Sequence, residues 1–291
     1  MNRIKTTTDI VYNDLVKKDI NIVHISDIHF NKNTKIKALK KLRTYLTNIE
    51  PDYIMITGDT IDVPKITNDK VKIKELVTFL TELATNSKVL ISIGNHDVLT
   101  EEDYNFFNKL DDLYNIYVLN NTSYHDEFIY VLGITLPNEY YYNLSGHEST
   151  EVLLEHLDSL KSKLSKMPKS VPKIAMIHSP IKLTENSVIT RLKNFNLILC
   201  GHTHNGMVPD FLSFLFKDNI GIISPSKNLF PQIAKGKIVK EVGNNTITII
   251  INGAITKLSE QSGKLLNNFN FVYNKSVNKI ILRKKRGIKY E

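Results

Sequence analysis

The sequence predicts an α/β fold with mixed sheets, built as a single domain over residues 1–291. In the first half, short runs rich in β-branched residues alternate with longer stretches of helical spacing, which is the pattern of βαβ units and parallel strands. The part that follows has shorter strands, which indicate antiparallel pairing. No linker rich in Gly, Pro or Ser, internal repeat or low-complexity segment divides the chain. With 42% hydrophobic residues, the chain can bury one substantial core.

Three strands and two helices alternate in the first third of the chain. The strands are predicted at 20–26, 53–57 and 88–93, and the helices at 36–49 and 71–83. In both helices the apolar residues recur at intervals of three or four positions. Because parallel sheets carry functional groups at the carboxyl ends of their strands, the residues directly after each strand are the first candidates for a site.

The remainder of the chain contributes short strands and one long helix. The strands are predicted at 117–119, 128–134, 173–177, 197–200 and 246–251. A helix is predicted over 150–166, because Ser149 or Thr150 provides an N-cap and Pro168 follows its end.

The chain is basic, with a net charge of +8 and a pI of about 9.2. A basic chain favours a phosphate-bearing partner such as nucleic acid or anionic lipid, although lysine is abundant throughout this one. The one local concentration is Leu-Arg-Lys-Lys-Arg at 282–286. We expect residues 275–291 to form a solvated basic tail.

Cysteine content and hydropathy exclude several classes of protein. Cys200 is the only cysteine, so there is no disulfide framework and no zinc site built from several thiolates. Residues 1–20 lack the continuous apolar run of a secretory signal, and no later run is long enough to span a bilayer. We therefore expect a cytoplasmic protein, either soluble or peripheral to the membrane.

Metal-binding side chains directly follow five of the predicted strands. The five blocks are Asp27-Ile28-His29, Gly58-Asp59, Gly94-Asn95-His96-Asp97, His178 and Gly201-His202-Thr203-His204. Each block alone occurs by chance in many sequences. The ordered set, with every block at a strand end, is not expected by chance and predicts a functional site.

The spacing within two of the blocks indicates how their side chains can meet. In extended backbone, residues i and i+2 lie on the same side, so Asp27 and His29 are expected to converge on one cation. His202 and His204 are expected to point to one side for the same reason. Carboxylate, imidazole and amide donors suit divalent Mn, Fe, Zn or Mg rather than copper(I) or an iron-sulfur cluster.

The five blocks resemble those of the calcineurin-like dinuclear metallophosphoesterases, and they span residues 27–204. The resemblance implies a four-layer αββα sandwich with two divalent metal ions between the strand ends of its two sheets. Asp59 would bridge the two ions, and a bridging hydroxide would attack phosphorus in line, without a covalent enzyme intermediate. One ion would be held by Asp27, His29, Asp59 and His204, and the other by Asp59, Asn95, His178 and His202.

The resemblance also implies roles for two residues beside the ligands. His96 matches the position that faces the substrate phosphate without binding metal, so it is the predicted catalytic residue. An imidazolium there would stabilise the developing charge or protonate the leaving alkoxide. Asp97 is predicted to orient His96 or a neighbouring group, and its alternative role is to cap a helix that begins near Glu101.

The activity implied is that of a metal-dependent phosphoric ester hydrolase, either a phosphodiesterase or a pyrophosphatase. The block at 201–204, followed by Gly206 and an apolar segment, is most similar to a bacterial branch of the family. That branch includes membrane-associated phosphodiesterases and enzymes that cleave the pyrophosphate of nucleotide-activated lipid sugars. A lipid-linked or nucleotide phosphate ester is therefore the expected substrate.

Three alternatives stay open at this point. A phosphomonoesterase or protein phosphatase would be favoured by arginines that grip a dianionic phosphate, and Arg43 and Arg191 are the nearest to the blocks in sequence. A nuclease is supported only by the basic pI. A catalytically weak protein-interaction scaffold on the same fold would have no chemical need for an intact Asp59.

Two loops bear on the choice of substrate. Residues 138–143 include three adjacent tyrosines, which either stack on a base or sugar or pack within the loop. Residues 207–216 are mostly apolar and begin three positions after His204. They either cap the core or, if exposed, contact a membrane or a lipid-linked phosphate beside the site.

Overall fold

The computed structural model describes residues 3–62, 65–142, 148–216, 219–223, 229–256 and 273–285. Within these residues the strands form two sheets of six strands each. One hydrophobic cluster lies between the sheets, and a further cluster lies between each sheet and the helices on its outer face. This four-layer arrangement of helices, sheet, sheet and helices confirms the predicted αββα sandwich.

The first sheet contains the three predicted parallel strands of the first third of the chain, together with the strand predicted at 117–119, which is parallel rather than antiparallel. Its strands are β1 (Ile4–Tyr12), β2 (Ile20–Ile25), β3 (Tyr53–Thr57), β4 (Lys88–Ser92), β5 (Ile116–Leu119) and β12 (Lys275–Arg283). Their order across the sheet is β1-β12-β2-β3-β4-β5. Strands β2 to β5 pair in parallel. The outer face is covered by α1 (Ile36–Thr47), α2 (Lys70–Leu83) and α3 (Glu101–Asp111).

The second sheet is built from later strands, with antiparallel pairs at its two edges. Its strands are β6 (Ser123–His125), β7 (Tyr130–Ile134), β8 (Lys173–Ile177), β9 (Leu197–Cys200), β10 (Gly236–Val242) and β11 (Asn245–Ile251). The order is β10-β11-β9-β8-β7-β6, and the four inner strands are parallel. Its helices are α4 (Asn138–Tyr141), α5 (Thr150–Ser159), α6 (Lys161–Ser165) and α7 (Asn186–Ile189).

Strand β2 shows how the sequence builds the layers. Its residues alternate between the two faces of the sheet, as the two-residue period of a strand requires. Ile20 and Ile22 pack between the sheets, whereas Val23 and Ile25 pack against the helices. Since both faces are covered, the strand is a nearly continuous apolar run, and this is why its position was predicted from sequence.

The C-terminal segment differs from the prediction. Lys275–Arg283 is not a solvated tail but strand β12, which lies between β1 and β2 inside the first sheet. Ile280 and Leu282 are buried between the sheets. The buried Asn278 interrupts the apolar pattern, and its amide donates to Thr7 Oγ1 over 2.7 Å. Residues 286–291 of the predicted tail lie outside the described residues.

Two further differences from the prediction concern the strands at the sheet edges and a break in one helix. Strands β1 and β10 lie at sheet edges, where exposed and partly buried residues alternate, so neither contains an apolar run that would have predicted it. The helix predicted over 150–166 is two helices, α5 and α6, which are separated at Leu160. Ser149 caps the first of them, as predicted, and accepts a hydrogen bond from the backbone of Val152.

Candidate metal centre

The predicted metal-binding residues all lie at the carboxyl ends of strands from both sheets. Asp27 and His29 follow β2, Asp59 follows β3, and Asn95 follows β4. From the second sheet, His178 follows β8, and His202 and His204 follow β9. All are buried except the partly exposed His204. The fold thus assembles residues that are up to 177 positions apart in sequence.

The first group of donor atoms surrounds Asp27. His204 Nε2 lies 3.0 Å from Asp27 Oδ1, and His29 Nε2 lies 3.3 Å from His204 Nε2. The ligand atoms of these three residues all lie within 4.8 Å of one another. Two imidazoles and a carboxylate at this separation can hold a single divalent cation.

The second group consists of Asp59, His178 and His202, whose ligand atoms again lie within 4.8 Å of one another. His178 Nδ1 donates to the carbonyl oxygen of Thr57 over 2.7 Å, which directs Nε2 into the site. That Nε2 lies 3.1 Å from Asp59 Oδ2, and the same oxygen lies 3.8 Å from His29 Nε2. Asp59, a member of the second group, therefore also faces the first.

Oδ1 of Asn95 is a buried polar atom of the cluster with no hydrogen-bond partner among the described residues. A buried polar atom without a partner costs free energy, so such atoms need a partner that the protein itself does not supply. Imidazole nitrogen and amide oxygen are both donors to divalent metals, and the cluster therefore fits the ions that the resemblance implies.

Opposite charges dominate the electrostatics of the cluster. Burial favours the neutral imidazoles, but Asp59 outweighs it and raises the pKa of His96 to about 9 and that of His178 to about 10. Burial likewise opposes ionisation of Asp27 and Asp59, yet the nearby histidines hold the pKa of each carboxyl below its usual range. A cation bound at the site would take the place of the proton on His178, because metal ligands must be deprotonated.

The backbone at the site is not extended, which corrects the expectation that strand alternation brings Asp27 and His29 together. Five of the residues adopt left-handed conformations, with φ of 53° at Asp27, 50° at His29, 50° at Asp59, 66° at His202 and 48° at His204. Such conformations are uncommon for residues other than glycine. The bend at the end of β2 is held by Asp27 N and His29 N, which donate to the carbonyl oxygens of Gly58 and Asp59.

Close approach between the blocks explains two of the glycines. At Gly58, where φ is +76°, a Cβ would lie 2.5 Å from His178 Nδ1. At Gly94, a Cβ would collide with the backbone nitrogen and the carboxylate of Asp59. Any side chain at either position would displace one of the candidate ligands.

The sequence reasoning missed Asp62. This buried carboxylate accepts a hydrogen bond of 2.8 Å from His96 Nδ1 through Oδ1, and its Oδ2 lies 3.1 Å from His29 Nδ1. The signal was present in the sequence, because Asp62 follows Asp59 by three positions and extends the block after β3. The carboxylate that holds His96 therefore lies in the loop after β3, and not in the block that contains His96, as was predicted.

Asp97 has a different set of contacts from the one predicted. Its carboxylate accepts three backbone hydrogen bonds, from Thr60, Ile61 and Gly94, at 2.7, 3.0 and 2.8 Å. It thus joins the loops after β3 and β4 instead of holding the imidazole of His96. The alternative role as a helix cap is wrong, since Thr100 caps α3.

The two loops singled out in the sequence have separate environments. Within 138–143, Tyr140 and Tyr141 are buried in α4, Tyr142 is exposed, and Asn143 lies outside the described residues. The apolar segment 207–216 includes the last residue of one short 3-10 turn, His204–Met207, and the whole of a second, Asp210–Leu215. It carries three exposed apolar side chains, with exposed fractions of 65% at Phe211, 80% at Phe214 and 63% at Leu215.

None of the helices in the described part of the chain is both long enough and apolar enough to cross a membrane.

Comparison with known proteins agrees with this geometry. The sequence pattern of the calcineurin-like phosphoesterases matches residues 20–206, a range that holds all the residues of the cluster. An uncharacterized metallophosphoesterase of Campylobacter jejuni is 29% identical over 216 residues, which cover 72% of this chain and 50% of that protein. A second uncharacterized metallophosphoesterase, YkuE of Bacillus subtilis, is 24% identical over 70% of this chain and 66% of its own length.

A third relative has a named substrate. The UDP-2,3-diacylglucosamine pyrophosphatase LpxG of Chlamydia muridarum is 30% identical over 94 residues, which cover 32% of this chain and 27% of that protein. The chain spans half or less of the length of the first curated relatives that it matches. Since the family pattern covers well over half of the chain, from β2 to the residues just after the last of the histidines, the chain belongs to the calcineurin-like phosphoesterases.

Proposed function

We propose that this protein is a metal-dependent phosphodiesterase or pyrophosphatase that works with two divalent cations. The observation that carries the proposal is a pair of donor groups, each with its ligand atoms within 4.8 Å of one another, in which Asp59 belongs to one group and faces His29 of the other. The buried Oδ1 of Asn95 adds support, because it has no hydrogen-bond partner among the described residues and a cation would satisfy it.

The proposed ligand sets are those that the resemblance implied. Asp59 belongs to both sets, in keeping with the position of its Oδ2 near His178 of one group and His29 of the other. Asp27, His29, Asp59 and His204 would hold one ion, and Asp59, Asn95, His178 and His202 would hold the other. When bound, the two ions supply a water-derived nucleophile at neutral pH and neutralise charge on the phosphoryl oxygens.

His96 would act on the leaving group. Because its Nδ1 is bonded to Asp62, its Nε2 is the nitrogen that faces the cluster, 4.0 Å from Asp59 Oδ2. Asp59 and Asp62 favour the protonated ring, so His96 can hold a proton at Nε2 and transfer it to the departing oxygen. The backbone N–H of His96 donates to Asp59 Oδ1 over 2.9 Å, which fixes the distance between the acid and the cluster.

The positions of two arginines, away from the cluster, favour a diester or pyrophosphate over a monoester as the substrate. A dianionic monoester is usually gripped by guanidinium groups. Arg43 instead lies 3.1 Å from Glu82, and Arg191 lies 2.7 Å from Asp158, both on the helical layers. With these two arginines engaged away from the cluster, the site is better suited to the single charge at a phosphodiester.

A comparison of two chromogenic esters tests the proposal. Metal-stripped protein is reloaded with Mn, Zn or Mg and assayed on bis-p-nitrophenyl phosphate and p-nitrophenyl phosphate. We expect faster cleavage of the diester, loss of activity in Asp59→Asn, and slow turnover with metal retained in His96→Ala. Asp158→Asn makes the same chemical change on the exposed side of α5 and should leave activity unchanged. Binding of two ions without cleavage of either ester would favour the scaffold alternative.

We propose in addition that segment 207–216 contacts the lipid part of the substrate or the surface of an anionic membrane. Phe211, Phe214 and Leu215 are exposed on the 3-10 turn that follows the last candidate ligand, His204. The net charge of +8 would add attraction to an anionic surface. The diacylated substrate in the name of the Chlamydia relative is in keeping with this proposal.

Vesicle sedimentation tests the lipid contact. We expect the protein to sediment with phosphatidylglycerol vesicles and the double variant Phe211→Ser, Phe214→Ser to stay in solution. Both proteins should cleave bis-p-nitrophenyl phosphate equally, because that ester has no lipid part. A matched variant, Tyr114→Ser, removes another exposed aromatic ring, at a position after α3, and should still sediment. Equal sedimentation of all three proteins would contradict the proposal.

A further inference from the structure

The three tyrosines at the end of α4 have different surroundings. Tyr140 is fully buried, and its hydroxyl donates to the carbonyl oxygen of Ile181 over 2.7 Å. Tyr141 is buried, and its ring centroid lies 5.1 Å from that of His202. Packing explains these two residues. Tyr142 is 66% exposed, so packing does not explain the third.

Tyr142 is joined to the candidate metal centre through Asn95. The amide Nδ2 of Asn95 donates to the hydroxyl of Tyr142 over 3.2 Å. An asparagine amide has one donor end and one acceptor end. With the donor end directed at the tyrosine, the acceptor Oδ1 is the end left for a cation, and this oxygen is buried without a hydrogen-bond partner among the described residues.

The exposed ring of Tyr142 is therefore held by a direct hydrogen bond to a proposed metal ligand. An aromatic ring with most of its surface in solvent, next to a reaction centre, offers a face on which a base or sugar can stack. The hydroxyl end of the ring is fixed by Asn95, so the ring can receive a substrate group without first being ordered.

We infer that Tyr142 forms a subsite for the ring-bearing group of the substrate, a nucleoside or a sugar, and that its hydroxyl positions Asn95 for metal binding. The inference rests on the proposed function, since the subsite serves a phosphate ester bound at the cluster. It narrows the substrate class to esters that carry a planar or cyclic group on the Asn95 side of the centre.

Two substitutions distinguish the role of the aromatic ring from that of the hydroxyl. Tyr142→Leu removes the aromatic face, and Tyr142→Phe keeps the face but removes the partner of Asn95. Tyr114→Leu is the matched control, because Tyr114 is 82% exposed and follows α3, outside the loops that carry the candidate ligands. Neither position is in the core, so all three variants should fold, and thermal unfolding checks that they do.

The ring is tested with two diesters that share a leaving group. Thymidine 5′-(p-nitrophenyl phosphate) carries a nucleoside, and methyl p-nitrophenyl phosphate does not. Since stacking of one base is worth about 5- to 150-fold in affinity, we expect Tyr142→Leu to raise KM about that much for the thymidine ester alone. An equal change for both esters, or none for either, would overturn the subsite.

The hydroxyl is tested without turnover, by calorimetric titration of metal-stripped protein with Mn²⁺ or Zn²⁺. Residues that orient a ligand typically change metal affinity by about 10- to 100-fold, and we expect Tyr142→Phe to weaken one of the two binding events by about that factor. Titration curves that match those of the wild type would overturn the positioning role. Tyr142→Leu also lacks the hydroxyl, so we expect it to weaken the same metal-binding event.

A third measurement tests the subsite independently of the proposed activity. If the wild type cleaves neither diester, the proposed function fails, and the subsite is then judged by binding alone. Thymidine 5′-phosphate and methyl phosphate are titrated into metal-loaded protein. Tighter binding of the nucleotide that is lost in Tyr142→Leu supports the subsite, and equal binding of both ligands overturns it.

Discussion

The imidazole of His96 is joined to the carboxylate of Asp62 by a hydrogen bond of 2.8 Å between Nδ1 and Oδ1. The second oxygen of Asp62 lies 3.1 Å from Nδ1 of His29. One buried carboxylate therefore faces both a predicted metal ligand and the predicted catalytic residue. Because it occupies the Nδ1 side of each ring, it leaves Nε2 of each for the cluster.

Replacing Asp62 by Asn should impair both histidines together. The variant keeps the shape of the side chain but loses the charge that orients the two rings. We expect kcat on bis-p-nitrophenyl phosphate to fall by about 10- to 100-fold, with a similar loss of affinity for one of the two ions. Metal titration of the stripped protein measures the second effect. Asp158→Asn is the control, and wild-type values of kcat and metal affinity in Asp62→Asn would contradict this role.

Replacing Gly94 by Ala should disrupt the cluster by collision. The added Cβ would strike the backbone and carboxylate of Asp59, and overpacking of this kind typically lowers the free energy of unfolding by about 1–3 kcal/mol. We expect metal binding to be lost as well. Gly243 is the control, because its φ is +62° and an added Cβ there would meet no atom within 4 Å. Gly243→Ala should lower stability through backbone strain but leave metal binding unchanged.

The stability of the fold should depend on Asp126 in a defined pH range. Its Oδ2 accepts from Tyr53, Tyr124 and Lys88 at 2.6, 2.7 and 2.8 Å. Burial opposes its ionisation, but these donors and nearby backbone N–H groups hold the pKa of Asp126 well below its usual range. A depressed carboxyl pKa stabilises the fold above the unfolded-state pKa of about 3.9, and this stabilisation is lost as the pH falls from there through the folded-state pKa.

Urea unfolding at pH 7 and pH 3 measures the contribution of Asp126. We expect Asp126→Asn to lower the free energy of unfolding by about 1–3 kcal/mol at pH 7, because partly buried donors lose a charged acceptor. The difference from the wild type should shrink toward pH 3. A difference that is the same at both pH values would show that the charge of Asp126 is not its source.

Removal of strand β12 should prevent folding. The strand pairs with β1 on one side and β2 on the other, and it buries Val277, Ile280 and Leu282. A chain that ends at residue 274 would leave two strands unpaired inside a sheet, with their backbone groups unsatisfied. We expect it to be insoluble or to lack a cooperative thermal transition. A chain that ends at residue 285 keeps β12 and should unfold cooperatively, and folding of the shorter chain would contradict this role.

The strands that were predicted well are those with both faces covered. β3, β8 and β9 match their predicted limits, since a strand buried on both faces is an unbroken apolar run that the sequence displays directly. β12 was mistaken for a tail because buried Asn278 and a basic end interrupt its pattern. The network that accommodates this asparagine, from Thr7 to Asn252, comes from distant parts of the chain.

The sequence alone led to the family, to seven candidate ligands and to His96, because residue types and their places after strands are local properties of the chain. How these residues meet depends on the tertiary structure. The convergence of Asp27 and His29 depends on left-handed turns rather than strand alternation, and the partner of His96 is Asp62 rather than Asp97. Left-handed conformations of residues other than glycine are maintained by contacts between loops, and such contacts exist only once both sheets are assembled.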